Sequence, residues 1–249
     1  MPASIHLAAL TTVELAALLG AGPVVALVPV GSTEPHGPHL GLGTDVTISV
    51  AACVRAVAQL ADAGLVARIA PAVPYGVTDC AAGFAGAVSV PAPVLTSFLA
   101  AVAGGLLAQG FAQVCLVNNH LEPAHDQAVR AAAAGEPRIT VACPLTRRWA
   151  RTLSAEFKSG ACHAGRYETS IVLAAEPSLV DQAARAGLPA LSVSLSEQLG
   201  AGIATFAAMG LDRAYTGDPA AATAAEGHEQ LERLAAMVVG EVIAALTPS

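Results

Sequence analysis

The stretch that decides the fold is PVVALVPVGSTEPHGPHLGLGTDV, residues 23 to 46. Its first eight residues form an uncharged, β-branched run that opens on Pro23 and stops at Gly31, which predicts a short buried strand. Upstream, Thr11 and Glu14 have the spacing of a capping box ahead of VELAALL, so a helix precedes that strand. Downstream the alternation continues: a helix over 47–61, a strand over 66–69, a helix over 94–108, a strand over 113–117, a helix over 122–134 and a strand over 139–143. Strands that alternate with helices build a parallel sheet with helices on both faces. Beyond Trp149 the strand signals fade, and helices are expected near 168–175 and from 220 to the end. No repeat, charged tail or linker divides the chain. One α/β domain over residues 1–249 is expected, a three-layer sandwich with a mostly parallel central sheet.

The second half of the quoted stretch, where the apolar run breaks into Glu34, His36 and Asp45 among glycines and prolines, points to chemistry. In open α/β sheets ligands gather outside the carboxyl ends of the strands. After VVALVPVG come Glu34 and His36; after QVCLVNN come His120 and Glu122. Each strand end thus supplies an acid and an imidazole two positions apart. In extended chain, residues i and i+2 share a side, so each pair can converge on one point. With Asp45 as a bridging carboxylate, the set suits one or two divalent cations, and a core has no other use for several carboxylates.

The remaining polar residues of this kind have plainer readings. His39 is expected as a structural or rim residue, His125 and Asp126 as a solvated first helical turn, and His6 and His228 as surface residues. The five cysteines, Cys53, Cys80, Cys115, Cys143 and Cys162, form no CxxC pair and read as small core residues. Only Cys162, beside His163, has a reactive alternative.

Composition narrows the partners. Only 12% of residues are charged, and residues 80 to 121 contain no Asp, Glu, Lys or Arg. A lone domain with so few charges would expose large apolar patches, so a homo-oligomer is expected. The net charge of −7, from 19 acids and 12 bases, lacks the basic cluster of a nucleic-acid binder. The uncharged residues 15 to 33 are interrupted by Gly20, Gly22, Pro23, Pro29 and Gly31, which argues against a membrane span. The opening MPASIHLAAL has no secretory pattern and the unpaired cysteines suit a reducing compartment, so the cytoplasm is expected. No GxGxxG and no Walker lysine follow the first strand, which argues against a nucleotide module.

The sequence resembles the creatininase (creatinine amidohydrolase) family. PVGSTEPHGPHLGLGTD is similar to its PxGSxEQHGPHLPLxTD motif, NNHLEP to its NGH-containing segment and HAGRYETS to its HAGxxETS segment. PYGVTD resembles its YGxS turn, GFAGAVSV its FPGT segment and TGDPAAATAAEG its GDP-containing helix start, all in order from about residue 23 to 240. The resemblance implies a hexamer of α/β subunits, each holding two divalent ions, zinc first, with manganese or iron as alternatives. It places Glu34, His36, Asp45, His120 and Glu122 as metal ligands, with Asp45 as the bridge. Glu168 falls where relatives carry a Glu close to the metals, as a ligand or beside one. A metal-bridging hydroxide would attack the amide, with His163 as proton shuttle.

Departures from the family pattern bear on the substrate. Thr78, Asn119 and Leu121 stand at positions expected to touch it: Thr78 in the YGxS turn, Asn119 in place of a glycine, Leu121 in place of an aromatic. Cys162 replaces a Glu before His163. Trp149, the only tryptophan, cannot supply two aromatic walls around a flat ring, which disfavours creatinine itself. The leading expectation is hydrolysis of a small cyclic amide or formamide. The alternatives are a peptidase that trims a cofactor-precursor peptide, as in the mycofactocin branch, and a catalytically silent oligomeric binding protein.

Overall fold

Strand β1 (Val24–Val30) is buried at every residue in the computed structural model, which describes residues 4–246. Its side chains alternate between two separate cores. Val24, Ala26, Val28 and Val30 join one cluster, and Val25 and Leu27 the other. A strand apolar on both faces must lie between two helical layers, and it does.

In chain order the first half reads α1 (Thr12–Ala21), β1, α2 (Thr44–Asp62), β2 (Val66–Ile69), α3 (Ala92–Ala108), β3 (Gln113–Asn118), α4 (Pro123–Ala133) and β4 (Ile139–Ala142). The sheet order is β2-β1-β3-β4, with all pairs parallel. Pro29, which has no N–H to donate, lies beyond the last β2 partner, where Leu27 pairs with Ile69. α1 starts as its sequence predicts: the Thr11 hydroxyl accepts from the Glu14 N–H and the Glu14 carboxylate accepts from the Thr11 N–H.

Among the described residues no strand follows Ala142. The second half is α5 (Arg147–Ala150), α6 (Ala155–Ser159), α7 (Arg166–Ala175), α8 (Gln182–Ala186), α9 (Leu195–Gly200) and α10 (Ala224–Leu246). The expected continuation of the last helix through residue 249 lies partly outside the described residues. α2, α7 and α10 pack together over one face of the sheet; α3 and α4 cover the other, with α1 leucines at its margin. The fold is the single three-layer α/β domain expected.

Two differences bear on the site. α2 begins at Thr44, three residues earlier than its apolar pattern suggests, so Asp45 sits in the first helical turn, not at the end of a loop. Glycine at position 31 allows this, because a Cβ there would lie 2.8 Å from the Cβ of Asp45. In the first turn of α4, Asp126 is partly exposed as expected, but His125 is fully buried. With Ala128, Val129 and Ala132 it forms the inward stripe of α4, a helical spacing that outweighs its polarity.

Candidate metal centre

β1 and β3 are neighbours, so the segments leaving their carboxyl ends meet. There the structure gathers Glu34, His36, Asp45, His120, Glu122, His163 and Glu168, all at most 8% exposed. Candidate metal-holding groups within it are Glu34 with His120 and Glu122, His36 with Asp45 and Glu168, and Glu34 with His36 and His163. The pairs read from the two strand ends converge, Asp45 joins them from α2, and Glu168 joins from α7.

The ring nitrogens decide what the centre can hold. His36 Nδ1 faces the Glu34 carbonyl at 3.1 Å, His120 Nε2 the Val77 carbonyl at 2.6 Å, and His163 Nε2 the Pro35 carbonyl at 3.0 Å. A carbonyl oxygen accepts, so each of these nitrogens carries the hydrogen and the other nitrogen of each ring is turned to the carboxylates. His36 Nε2 is 3.1 Å from Asp45 Oδ1, 3.7 Å from Glu168 and 3.8 Å from Glu34. His120 Nδ1 is 3.0 Å from Asp45 Oδ2 and 3.3 Å from Glu34, and His163 Nδ1 is 3.8 Å from Glu34.

Something positive, a second proton or a cation, must lie between nitrogens and oxygens so placed. The buried Asp45 Oδ2 accepts no hydrogen bond although His120 Nδ1 is close, which favours the cation. Four carboxylates against three imidazoles, all N and O donors, suit divalent ions.

Local folding aims each carboxylate. The Thr78 hydroxyl donates to Glu34 Oε2, and Glu122 accepts from the backbone N–H of Asp79 and of Cys80, both at 3.1 Å. Glu168 accepts from the Ala164 N–H at 2.6 Å. Ala164 is fully buried at φ 50°, a conformation rare outside glycine, held where His163 and Glu168 enter the centre.

Burial pushes the Glu168 carboxyl up to about 8, the Asp45 and Glu34 charges adding to the effect and His36 opposing it. Burial also pulls His163 down to about 4, reinforced by His36, so its imidazole is neutral at pH 7. For Glu34 burial acts upward, but His120 outweighs it and brings the carboxyl to about 2.

A cavity of about 190 Å³ opens onto this floor. Its walls are mostly apolar: Leu121, Leu145, Leu195, Leu199, Phe206 and Met209. The His163 ring lies between His36 and Phe206, with centroids 4.5 Å from each. Of the three residues expected at the substrate, only Leu121 lines the cavity. Thr78 holds Glu34, and the Asn119 amide donates to Ser49 Oγ, away from the opening. A hydroxyl and an amide so close to buried acceptors find partners in the protein first.

His125 is the residue that sequence reasoning missed. Its Nδ1 accepts from the Val77 N–H at 3.2 Å, its Nε2 meets Asn118 Oδ1 at 3.1 Å, and its ring stands edge-on to His120, with centroids 4.6 Å apart. Gly76 makes room for it, since a Cβ there would lie 2.3 Å from Nδ1. His39 is buried and bonded to Thr169 Oγ1, while His6 and His228 are exposed. All five cysteines are free and buried. Burial pushes the Cys162 thiol well up, which removes its reactive reading.

A family model described as Creatininase, creatinine amidohydrolase, matches residues 8–242. The mycofactocin precursor peptide peptidase of Mycolicibacterium smegmatis is 33% identical over 209 residues, 82% of this chain and 78% of that protein. A creatinine amidohydrolase of Pseudomonas putida is 28% identical over 127 residues, 49% of this chain and 47% of that protein. A solved structure described as "Creatininase Mn" covers 99% of this chain and 100% of its own, with a TM-score of 0.72 at 23% identity. It has the same fold.

Proposed function

This chain belongs to the creatininase family, and from that premise we propose that it is a metal-dependent hydrolase cleaving an amide bond near the end of a short peptide. The observation that carries this reading is the cavity itself. Its floor is the carboxylate and imidazole cluster, and its walls are aliphatic side chains with Phe206 and Met209. Such walls suit the apolar side chain of an amino acid better than a small polar ring or a formamide. Trp149 does not line the cavity; its indole N–H donates to Glu241, beside α10. The peptidase relative matches over four-fifths of this chain, the creatinine amidohydrolase relative over half. The peptidase alternative therefore displaces the small cyclic amide or formamide as the leading reading. A silent binding protein is disfavoured because the whole donor set meets in one buried centre.

In this reading Glu34, His120 and Glu122 would hold one divalent ion and His36, Asp45 and Glu168 a second, with Asp45 shared. Zinc is the first candidate, with manganese or iron as alternatives. Bound ions would supply Lewis acidity, lowering the pKa of water and polarising the amide carbonyl. His163, neutral and anchored through Nε2, keeps Nδ1 to take up a proton and deliver it to the leaving nitrogen. Phe206 fixes the plane of that ring, and the apolar walls exclude bulk water. Val88, Val94 and Phe98, exposed within the charge-free residues 80 to 121, support a homo-oligomer, with a hexamer the expected size. The unpaired thiols fit the cytoplasm.

The test is incubation of zinc- or manganese-loaded protein with N-acetylated short peptides ending in apolar residues, and in parallel with creatinine, lactams and formamides, followed by mass spectrometry. Peptide cleavage with creatinine left intact supports the reading. Turnover of the small amides with every peptide untouched overturns it.

A further inference from the structure

Lys158 is the only lysine in the chain, and it lines the cavity above the metal centre. Every other lining residue is apolar, a glycine, a serine, a cysteine, a histidine or a carboxylic acid, so Lys158 carries the one permanent positive charge on the cavity lining. Its position is well defined. Ser154 caps the start of α6, buried Phe157 anchors it, and the carbonyl of Gly160, just past its end, accepts from the Leu195 N–H of α9 at 2.9 Å. The helix thus places Lys158 at the junction that also supplies the apolar wall residues Leu195 and Leu199. Among the described residues its side chain has no hydrogen bond or ion pair, so it neutralises no acid of the fold.

The chain has a net charge of −7, and Glu34, Asp45, Glu122 and Glu168 lie on the floor of the same cavity. Divalent ions held on that floor would offset its carboxylates, which leaves Lys158 as the unpaired charge at the rim and favours an anionic group on the ligand beside it. A volume of about 190 Å³ is below that of sites for drug-sized ligands, so only the end of a chain enters. We propose that Lys158 pairs with a carboxylate of the bound peptide while the apolar walls hold the neighbouring side chain. The enzyme is then selective for peptides that present an apolar residue and an acid together. Lys158 is a specificity-determining residue, and this role rests on the peptide reading above.

The test uses metal-loaded protein, wild type and the variants Lys158→Gln and Lys158→Arg. Three probes distinguish the source of the acid: N-acetyl-Ala-Leu with a free carboxyl terminus, its C-terminal amide, and N-acetyl-Glu-Leu-amide. Binding is followed by calorimetry and cleavage by mass spectrometry. Lys158 is exposed, so both variants are expected to fold and keep their metal. On wild type the free acid should bind about three- to tenfold tighter than its amide, with the difference shrinking at high salt. Lys158→Gln should abolish that ratio through KM with kcat unchanged, and Lys158→Arg should keep most of it. If the Glu-containing amide alone shows the dependence on Lys158, the carboxylate is that of an acidic side chain. Equal binding and cleavage of all three probes, or an unchanged ratio in Lys158→Gln, overturns the role of Lys158. Failure to bind or cleave any of them, with small amides turned over, overturns the peptide reading as well.

Discussion

Nδ1 of His120 lies 3.0 Å from Oδ2 of Asp45, yet that oxygen accepts no hydrogen bond. The two atoms are close without being aligned for a shared proton. The other oxygen of Asp45 faces His36 at 3.1 Å, so a single carboxylate spans both halves of the centre.

Asp45→Ala should therefore cost metal at both positions. Wild-type protein purified without chelator is expected to carry about two equivalents per subunit, and the variant to fall well below one, because the bridge serves both ions. Glu168→Gln should remove about one equivalent, since Glu168 groups only with His36 and Asp45. Elemental analysis decides the matter, and full retention of both ions in Asp45→Ala rules out the bridge.

His163→Ala should leave metal content unchanged while kcat falls roughly 10²-fold or more, the usual cost of a lost general acid or base. Its Nε2 is tied to the Pro35 carbonyl, so the ring is oriented without help from an ion. A parallel loss of metal would make it a ligand instead.

His125→Ala should destabilise the protein by about 3 kcal/mol, because it opens a void, leaves the Val77 N–H without its partner and removes one of the two hydrogen bonds to Asn118 Oδ1. For a chain of this length that lowers Tm by about 6–12 °C. Gly76→Ala should act the same way from the other side, since its new methyl would collide with the His125 ring. Thermal unfolding of both variants checks this, and an unchanged Tm would return His125 to the solvated role suggested by its polarity.

Burial pulls His39 down to about 4, with His36 and Arg185 acting in the same direction. Its unfolded value is about 6.5, so between those limits the unfolded chain binds more protons than the folded one. Stability from this group is complete above pH 6.5 and is lost as pH falls toward 4, with a slope of at most about 1.4 kcal/mol per pH unit. His39→Asn should flatten the fall in Tm between pH 7 and 5. A variant with the wild-type slope would show that His39 does not contribute to it.

Light scattering should give a mass several times that of one subunit. Phe98→Glu, at an exposed position on α3, should shift the protein toward the monomer. A monomeric wild type would mean that the charge-free face stays in water.

Much of this was legible in the sequence. Binary patterning is a local property, so the alternation of helices and uncharged strands gave the parallel sheet. Strand ends carry ligands in such folds, so Glu34, His36, His120 and Glu122 could be singled out by position alone. His125 was hidden because its type suggested water, while its place on the stripe with Ala128, Val129 and Ala132 said otherwise.

The sequence by itself determined the layer order, the donor types and the positions from which they could converge, because these depend on short-range periodicity and chain direction. Only the tertiary structure decided which atoms face one another: that Thr78 holds Glu34, that Asn119 turns to Ser49, that Glu168 reaches His36 and Asp45, and that Lys158 stands above them. Those partnerships join residues far apart in the chain, and side-chain hydrogen bonding across such distances is set by packing, which no local pattern encodes.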